Sequence, residues 1–484
     1  MKTSIRTIIL AAASIFAAMS CQKETAVPGT QDRVTTDETI QVNLSACLGD
    51  LASADGTKAT ATPVVRLIWD GTEKVQAYCG AEKIGTDLTV TPSENKMFAK
   101  LSGSITTTGL TSGTSVITFV CSNGCTADGL TFDFSSQNAI IPFVAYGTLV
   151  YEGIETFTNK MVEFKFATSV MKIAATNLGG GSSISNATIR GINTKVTLTP
   201  DATSEICGIA GSEKSNITKT AGIDTSSDGT SAIVSVGLVP DSNKGRNITL
   251  TQTGYTNKGV ITSATITSSR SYTTPASLFP CGKLNGHDYV LIEGIKWAKD
   301  NLNFQGEKLY GYSYYEIIQW AAFRDPSTEP IWAPTDIKPY YDGASDSYTK
   351  YNNSDKLVTL APSDDVAAIL WGNKWRMPRS VEFEALLKAT YWKNGDGGYY
   401  VYAPQAGDAG KCDEPLIPTD KINGTYDKSD ALLFFPGNQS HYYYWSSTLY
   451  DPKRAYCLSF VLMQPVEVSN VWRYEHCYVR AVSD

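Results

Sequence analysis

The chain has 484 residues, of which 42% are hydrophobic and 18% are charged, and its formal net charge is −7. The length predicts two or three domains, and the hydrophobic content is sufficient to fill their cores. Because an acidic chain with few charges offers no broad basic surface to neutralise phosphates, nucleic acid is not expected as a partner.

The N-terminus carries the pattern of a bacterial lipoprotein signal. Two basic residues precede the apolar run of residues 8–19, and a small residue stands directly before Cys21. This arrangement predicts a signal peptide over residues 1–20 and diacylation of Cys21. The run is too short to span a bilayer. We therefore expect a protein of the outer membrane and cell surface, held to the membrane through a lipid anchor only, with residues 21–34 as its tether.

Aromatic residues divide the rest of the chain near residue 285. Residues 22–284 contain a single tryptophan, Trp69, whereas residues 285–484 contain eight. Before this division, β-branched residues alternate with polar ones in short runs such as Ser115–Val120. Period-two alternation predicts half-buried strands, so the first part of the chain is expected to be an all-β sandwich.

The sandwich is predicted to have two lobes, residues 35–145 and residues 146–290. The boundary is placed near Tyr146 because the stretch Pro142–Gly147 interrupts the strand pattern.

The remaining residues, 291–484, are predicted to form a third domain of mixed α and β structure. Apolar residues at helical spacing predict a helix over Ser380–Thr390 that covers a sheet. Its polar residues Glu382, Glu384 and Lys388 are expected to face water. A second helix is predicted over Tyr314–Phe323.

The C-terminal segments of this domain are predicted to be strands. Residues Ala455–Met463 alternate as a strand does. The final stretch, Tyr478–Val482, is expected to return beside the first strand of the domain, which would bring the two ends of the domain together.

Catalytic chemistry finds little support in the sequence. It lacks a G-x-S-x-G elbow, an H-E-x-x-H helix, a phosphate loop and a G-x-G-x-x-G turn, and it has three histidines. We therefore predict no enzymatic activity, no cofactor and no metal. With Cys21 lipidated, nine cysteines remain and cannot all pair. Cys457 and Cys477 are candidates for a disulfide between adjacent strands, or are inert thiols.

Tyrosines in the third domain are candidates for ligand contacts. Sugars need flat aromatic faces for their apolar C–H surfaces, and tyrosine pairs stand in Gly-, Asp- and Asn-rich surroundings that read as loops. The candidates are Tyr340, Tyr341, Tyr399, Tyr400 and Tyr442. Alternation would place Tyr443 and Trp445 on the buried face of a strand and Tyr442 on the other face. The alternative for the aromatic residues, above all the tryptophans, is a place in the core.

The sandwich resembles a known family. The stretch Met161–Ile173 resembles the strand that opens the second half of Bacteroidetes fimbrillin-like proteins, and Tyr272–Leu284 resembles their closing hairpin. This resemblance covers residues 35–290. It implies a lipoprotein precursor whose N-terminal strand is removed by proteolysis, so that a strand of the neighbouring subunit fills the groove. Arg33 is a candidate cleavage site for an arginine-specific protease; the alternative is an ordinary linker residue.

The third domain resembles a different family. The segments Glu293–Leu302, Trp371–Pro378, Tyr444–Thr448 and Cys477–Val482 follow the order of the Fibrobacter major paralogous domain. That family is a branch of the C-type-lectin-like superfamily and is related in fold to formylglycine-generating enzymes. Its relatives carry a small hydroxyl residue after the proline, where this chain has Arg379, so the helix cap is expected at Ser380.

Together these resemblances imply a minor or tip fimbrial subunit, an adhesin assembled by donor-strand exchange. Its partners would be other fimbrial subunits and a glycan or protein ligand on a host or bacterial surface. Two alternatives stay open at this stage. One is a freestanding surface lipoprotein that binds glycan, and the other is a modifying enzyme of the formylglycine type.

Overall fold

The computed structural model describes residues 39–49, 51–53, 67–241, 246–261, 266–302, 317–321, 340–342, 345, 347–395, 397–404, 408–412, 428–437, 441–461 and 464–484. The predicted signal peptide and tether, with Cys21 and Arg33, lie outside these residues.

The described chain is mainly β-structure. Its first strands are β1 Thr39–Leu48, β2 Ala52–Ser53, β3 Lys74–Cys79, β4 Glu82–Lys83, β5 Thr89–Pro92, β6 Phe98–Thr106, β7 Val116–Asn123, β8 Thr126–Asp128, β9 Thr131–Asp133, β10 Ser136–Gln137, β11 Phe143–Val150 and β12 Thr158–Phe166. The next strands are β13 Ser169–Thr176, β14 Asn186–Pro200, β15 Cys207–Lys219, β16 Ile223–Thr225, β17 Ala232–Leu238, β18 Arg246–Gln252, β19 Tyr255–Ile261, β20 Arg270–Leu284, β21 His287–Ile292 and β22 Ile295–Ala298.

The C-terminal part adds short strands and helices. The strands are β23 Ile317–Ile318, β24 Tyr341–Asp342, β25 Ser347–Tyr348, β26 Tyr391–Gly395, β27 Gly398–Tyr402, β28 Leu433–Pro436, β29 His441–Asp451, β30 Arg454–Val461, β31 Glu467–Trp472, β32 Cys477–Tyr478 and β33 Val482–Ser483. The α-helices are α1 Val366–Trp371 and α2 Ser380–Ala389, and 3₁₀ turns occupy Ile154–Phe157 and Lys428–Asp430.

The first lobe is built on a sheet of order β4-β3-β7-β11-β12-β1-β6-β5. Its core is apolar and dry, and the only tryptophan of this half, Trp69, lies in it with its ring against Phe164 at a centroid distance of 5.7 Å. The second lobe is built on the path β10-β15-β14-β18-β19-β20-β13-β17-β16 and has its own apolar core. The predicted two-lobe β-sandwich is therefore the fold of the first half.

The boundary between the lobes differs from the prediction. Tyr146 lies inside β11, which pairs with β7 in the first sheet, and the chain changes sheet between β12 and β13. The interruption seen in the sequence has a packing cause. A Cβ on Gly147 would lie 2.5 Å from Val162 and 2.7 Å from the carbonyl oxygen of Glu163, so only glycine allows β12 to pass this closely.

The C-terminal domain, which we call the head, is an α+β unit. Its main sheet has the order β23-β32-β29-β30-β31, and a smaller sheet has the order β26-β27-β28. The final strand β33 pairs with β22, with Val482 opposite Trp297, which confirms the predicted return of the C-terminal segment. The predicted helix at residue 380 is confirmed as α2. The other predicted helix is wrong where the structure describes it, because Ile317–Ile318 is strand β23, paired with β32.

The start of α2 explains two further differences from prediction. The N-cap is Arg379 and not Ser380, which is the first helical residue. Glu382 does not face water, because its carboxylate turns back to accept hydrogen bonds from the backbone N–H of Arg379 at 2.7 Å and from Arg376 Nη1 at 2.8 Å. A negatively charged side chain in the first turn of a helix also interacts favourably with the positive end of the helix dipole.

The head is joined to the second lobe by continuous structure. Strands β20, β21 and β22 form one antiparallel run that ends on β33 of the head. Polar contacts also connect the second lobe to the head: Asp430 of the head accepts hydrogen bonds from Arg190 at 2.7 Å and from Asn247 at 2.5 Å, both of the second lobe. Phe279 and Cys281 of β20 pack in the same core as head residues. The second lobe and the head therefore share both a sheet and a core.

Candidate functional site

The first candidate site is the groove that holds β1. This strand lies inside the first sheet, antiparallel to β6 from Thr39 opposite Thr106 to Cys47 opposite Phe98. On its other side it runs parallel to β12, as far as Leu48 opposite Phe164. The backbone of β1 is therefore paired on both sides from Asn43 to Cys47, and on the β6 side alone before Asn43.

The side chains of β1 alternate strictly between core and solvent. The inward set is buried and consists of Ile40, Val42, Leu44 and Ala46. The outward set is exposed and consists of Thr39, Gln41, Asn43 and Ser45. A strand with this pattern can be bound by main-chain hydrogen bonds for affinity and by pockets for alternate side chains for specificity.

The chain leaves β1 toward the second lobe. The N–H of Gly49 donates to the carbonyl of Phe164 at 2.8 Å, and Leu51 is buried in the first core. Directly after Leu51, β2 pairs in parallel with β20, with Ala52 opposite Arg270. Without β1, strands β6 and β12 would each present a row of unpaired N–H and C=O groups beside an open apolar groove.

The second candidate site is the tyrosine-rich part of the head, and the structure corrects the prediction there. Tyr442 is 8% exposed and Tyr399 is 6% exposed, and both pack on Phe460, with ring centroids 4.4 and 5.2 Å away. Burial raises the pKa of the Tyr399 hydroxyl to about 12. Tyr399 lies in strand β27 and not in a loop, and the face of β29 that carries Tyr442 is covered by α2 as part of the same core. The expectation that these two rings are exposed is wrong.

Two of the remaining candidate tyrosines, Tyr340 and Tyr400, lie in different apolar clusters. Tyr400 is half-buried and packs its ring on Phe434, with 4.5 Å between the centroids. Tyr340 is half-buried in another core cluster, and its hydroxyl donates to Asp364 at 2.8 Å. The side chain of Tyr341 lies outside the part of the chain that the structure describes. Ligand contacts by Tyr340, Tyr341 and Tyr400 stay predictions.

Asp364 is the centre of a polar network in the head. It accepts hydrogen bonds from Tyr340, from Lys350 at 2.5 Å and from the Tyr351 hydroxyl. Burial alone would raise the pKa of Asp364, but these hydrogen bonds outweigh burial and the pKa is lowered. Arg473 lies beside this network, and its guanidinium is 3.9 Å from the ring centroid of Tyr348. A carboxylate with three donors is held as an ion pair, so the network fixes the surrounding loops and provides no free general base.

The predicted disulfide is not formed. Cys457 and Cys477 are fully buried free thiols. They lie on β30 and β32, and β29 runs between these two strands. Strands separated by a third are about 9.5 Å apart, whereas Cα atoms of a disulfide are at most about 6.8 Å apart. The alternative of inert thiols fits, because burial raises the pKa of Cys457 to about 12.

The structure places exposed aromatic residues at a position that the sequence prediction missed. Trp472 is 44% exposed and Tyr450 is 45% exposed, at the ends of β31 and β29. The Arg454 guanidinium lies between them, 4.7 Å from the Tyr450 ring centroid and 6.0 Å from that of Trp472. Tyr474 lies parallel to Trp472, with 5.9 Å between centroids and 9° between planes. We call Tyr450, Arg454, Tyr456, Trp472 and Tyr474 the aromatic platform.

A sequence signal for the platform exists in hindsight. Arg454 and Tyr456 are two apart in β30, which puts them on one face of that strand, whereas Tyr474 follows β31 in a turn and its place beside Trp472 has no such signal. Nothing in that spacing distinguishes an exposed face from a covered one, because the coverage depends on where α2 ends.

Metal-binding groups and membrane-spanning helices are the other features that could define a site. Within the described residues, no group of three or more His, Cys, Asp or Glu side chains is placed to hold a metal ion. Among the same residues, none of the helices has both the length and the apolar character that a membrane crossing needs.

The chain was compared with known proteins. No family model matches it, and no curated protein matches it in sequence. Among solved structures, a candidate cell adhesion protein of Bacteroides uniformis is similar at 16% identity and a TM-score of 0.29, over 49% of this chain and 93% of that one. A fimbrial assembly protein of Parabacteroides distasonis is similar at 10% identity and a TM-score of 0.28, over 53% and 100% of the two chains.

A third similar structure is the tip fimbrial protein Mfa3 of Porphyromonas gingivalis with a C-terminal truncation. It has 10% identity and a TM-score of 0.26, over 52% of this chain and 98% of that one. These TM-scores are all below 0.5, so the fold description rests on the strand pairings given above.

Proposed function

We propose that the protein is a minor or tip subunit of a cell-surface fimbrium, anchored at first through a lipid on Cys21. Its sandwich accepts a strand from a neighbouring subunit in place of β1, and its head faces outward and binds a surface ligand. The protein acts by binding and assembly and catalyses no reaction.

The observation that carries this proposal is the position of β1. An N-terminal strand of ten residues pairs along β6 and, from Asn43 onward, also along β12, and it buries alternate side chains in the core. Residues 54–66 follow β1 and β2, so a cut there would separate both strands covalently from the rest of the fold. A donor strand with the same alternation could then occupy the same groove with the same hydrogen bonds.

The location of the cut matters for this proposal. Arg33 precedes β1, so cleavage after Arg33 would shorten the tether and leave β1 attached to the fold. Release of β1 needs a second cut after residue 48. The sequence offers Lys58 and Arg66 in the segment 54–66 as basic residues that a trypsin-like or arginine-specific protease could recognise. Arg66 meets the requirement of the arginine-specific protease expected for Arg33.

The head supports a terminal place in a fibre. Its final strand β33 is paired with β22, and Asp484 forms an ion pair with Arg376 at 2.5 Å. The backbone of Asp484 also accepts a hydrogen bond from Lys296. The strand β33 is therefore paired within the head and is not free to complete the sheet of a further subunit.

Strand replacement tests the proposal. A protease site is inserted within residues 54–66, the protein is cut, and an excess of fluorescent peptide of residues 39–48 is added. We expect the peptide to exchange into the folded protein. A peptide with Val42→Asp and Leu44→Asp should fail to exchange, whereas one with Gln41→Ala and Asn43→Ala should exchange normally.

The same preparation distinguishes the alternative. If the cut protein stays folded and takes up neither the peptide nor a strand of any co-purified fimbrial subunit, donor-strand assembly is refuted. The freestanding glycan-binding lipoprotein would then be the better explanation, because the head does not depend on β1.

A further inference from the structure

The aromatic platform is the most exposed cluster of large rings in the described head that also carries polar groups. Its geometry follows from the strands below it. Arg454 and Tyr456 share a face of β30 with Leu458 and Phe460, because side chains alternate along a strand. Leu458 and Phe460 are covered by the side chains of α2 in a common core. Toward Arg454 this cover ends, and the same face becomes exposed.

The rings of the platform are held in place. Tyr450 meets the ring of Tyr456 edge to face at 5.2 Å, and Trp472 is opposite Arg454 in the β30–β31 ladder. Because Tyr450, Tyr456 and Trp472 lie on paired strands and their rings contact one another or Arg454, little side-chain entropy is lost when a ligand is bound against them. Such a preformed flat surface suits a rigid ligand with an apolar face.

The charge of the platform is already balanced. The Nε of Arg454 donates a hydrogen bond to the Asp451 carboxylate at 2.8 Å, and its Nη2 forms an ion pair with the same carboxylate at 2.7 Å. The Nη1 atom takes part in neither contact. The backbone N–H groups of Lys453 and Arg454 donate to the other oxygen of Asp451. A neutral pair presents donors and acceptors together, which complements an uncharged ligand rich in hydroxyl groups better than a carboxylate or an amine.

We propose that the aromatic platform is the glycan-binding site of the head, and that its ligand is a neutral saccharide. The C–H face of a sugar ring would stack on Trp472 and its edge would contact Tyr450, while its hydroxyls would bond to the Arg454–Asp451 pair. This inference rests on the proposed function, which gives the head a surface ligand, and it names both the ligand class and the site. It replaces the buried Tyr399 and Tyr442 as candidates.

The test uses the intact protein and an array of oligosaccharides ending in galactose, mannose, N-acetylglucosamine or sialic acid. The best neutral ligand is then titrated calorimetrically against the wild type, Trp472→Ala and Tyr450→Ala. We expect each alanine variant to bind at least about tenfold more weakly, since a ring contact of this kind is worth about 1.4 kcal/mol at that ratio. Trp472→Phe keeps a ring and should stay within about threefold of the wild type.

Controls keep the result unambiguous. Val381 is exposed on α2 outside the platform, so Val381→Ala should bind as the wild type does. Thermal melting and near-ultraviolet circular dichroism show whether each variant is folded. Equal binding by wild type and Trp472→Ala would overturn the inference, as would an array in which only sialylated glycans, or none, are bound. Strand replacement in the sandwich is measured on the same variants, so that failure of the platform and failure of the fimbrial proposal are separate results.

Discussion

Shortening one inward-facing side chain of β1 should weaken the binding of this strand to the rest of the sandwich. Leu44 is 1% exposed in the core of the first lobe. Removing a fully buried leucine side chain costs about 2–5 kcal/mol, the range depending on how far the cavity collapses. We expect Leu44→Ala to lower the free energy of unfolding of the first lobe by this amount.

The same loss should appear in strand binding. Since about 1.4 kcal/mol corresponds to tenfold in affinity, a peptide of residues 39–48 with Leu44→Ala should bind the cut protein about 30- to 4,000-fold more weakly than the native peptide. The assay is fluorescence polarisation, with labelled native peptide as the bound probe and unlabelled variant peptides as the competitors. Chemical denaturation of the uncut variant gives the matching free energy of unfolding.

The matched control is Gln41→Ala, because Gln41 is exposed on the opposite side of the same strand. Its effect should stay within about 0.5 kcal/mol. The reasoning is refuted if Leu44→Ala and Gln41→Ala peptides compete equally, because affinity would then come from the backbone alone and alternate pockets would contribute no specificity.

Other predictions follow from the head. Asp430→Asn should remove the ion pair with Arg190 and cost about 1–2 kcal/mol, seen as faster proteolysis at the joint of head and second lobe; unchanged proteolysis would contradict this. Burial would raise the pKa of Glu382, but hydrogen bonds from Arg376 and Arg379 lower it overall. The folded state is therefore stabilised above the ordinary glutamate pKa of about 4.3 and loses this contribution as the pH falls through the lowered pKa. Urea midpoints of Glu382→Gln should thus lie below the wild type at pH 7 and approach it in acid. The Cys457 thiol should resist iodoacetamide until the protein unfolds, and reduction should not change the melting temperature.

The presence of the strands was predictable from the sequence, but the burial of both faces of a strand was not. The run Ser115–Val120 alternates and was expected to be half-buried, yet β7 is buried along both faces. Phe119 lies in the core of the first lobe, while Val120 lies in a separate cluster with Val196 and Leu198 of the second lobe. Period-two alternation in a sequence indicates that one face of a strand is buried. The other face of β7 is buried by the second lobe, whose residues are distant in sequence.

The same physics explains why the predictions of exposure for Tyr399 and Tyr442 failed. Aromatic residues were expected to mark a ligand site, and in the head most of them fill the spaces between layers. Tyr442 and Tyr444 belong to the core beneath α2, whereas Trp445 on the other face of β29 belongs to a second core. Local composition cannot tell these cases apart, because a Tyr beside Asp and Gly looks the same whether a helix covers it or not.

Exposure of a ring is therefore decided by the length of the covering element. The helix α2 ends after ten residues, whereas β29 spans eleven residues and carries its face beyond the helix. A strand rises about 3.3 Å per residue and a helix about 1.5 Å, so ten helical residues span about 15 Å where eleven strand residues span about 36 Å. The helix α2 contacts β29, β30 and β31, so it lies across three strands and covers only part of each. Tyr450 of β29 and Trp472 of β31 stay exposed beside the Arg454–Asp451 pair. The saccharide proposal depends on these rings together with the paired charge and not on exposure alone, because single exposed aromatic residues are common on protein surfaces.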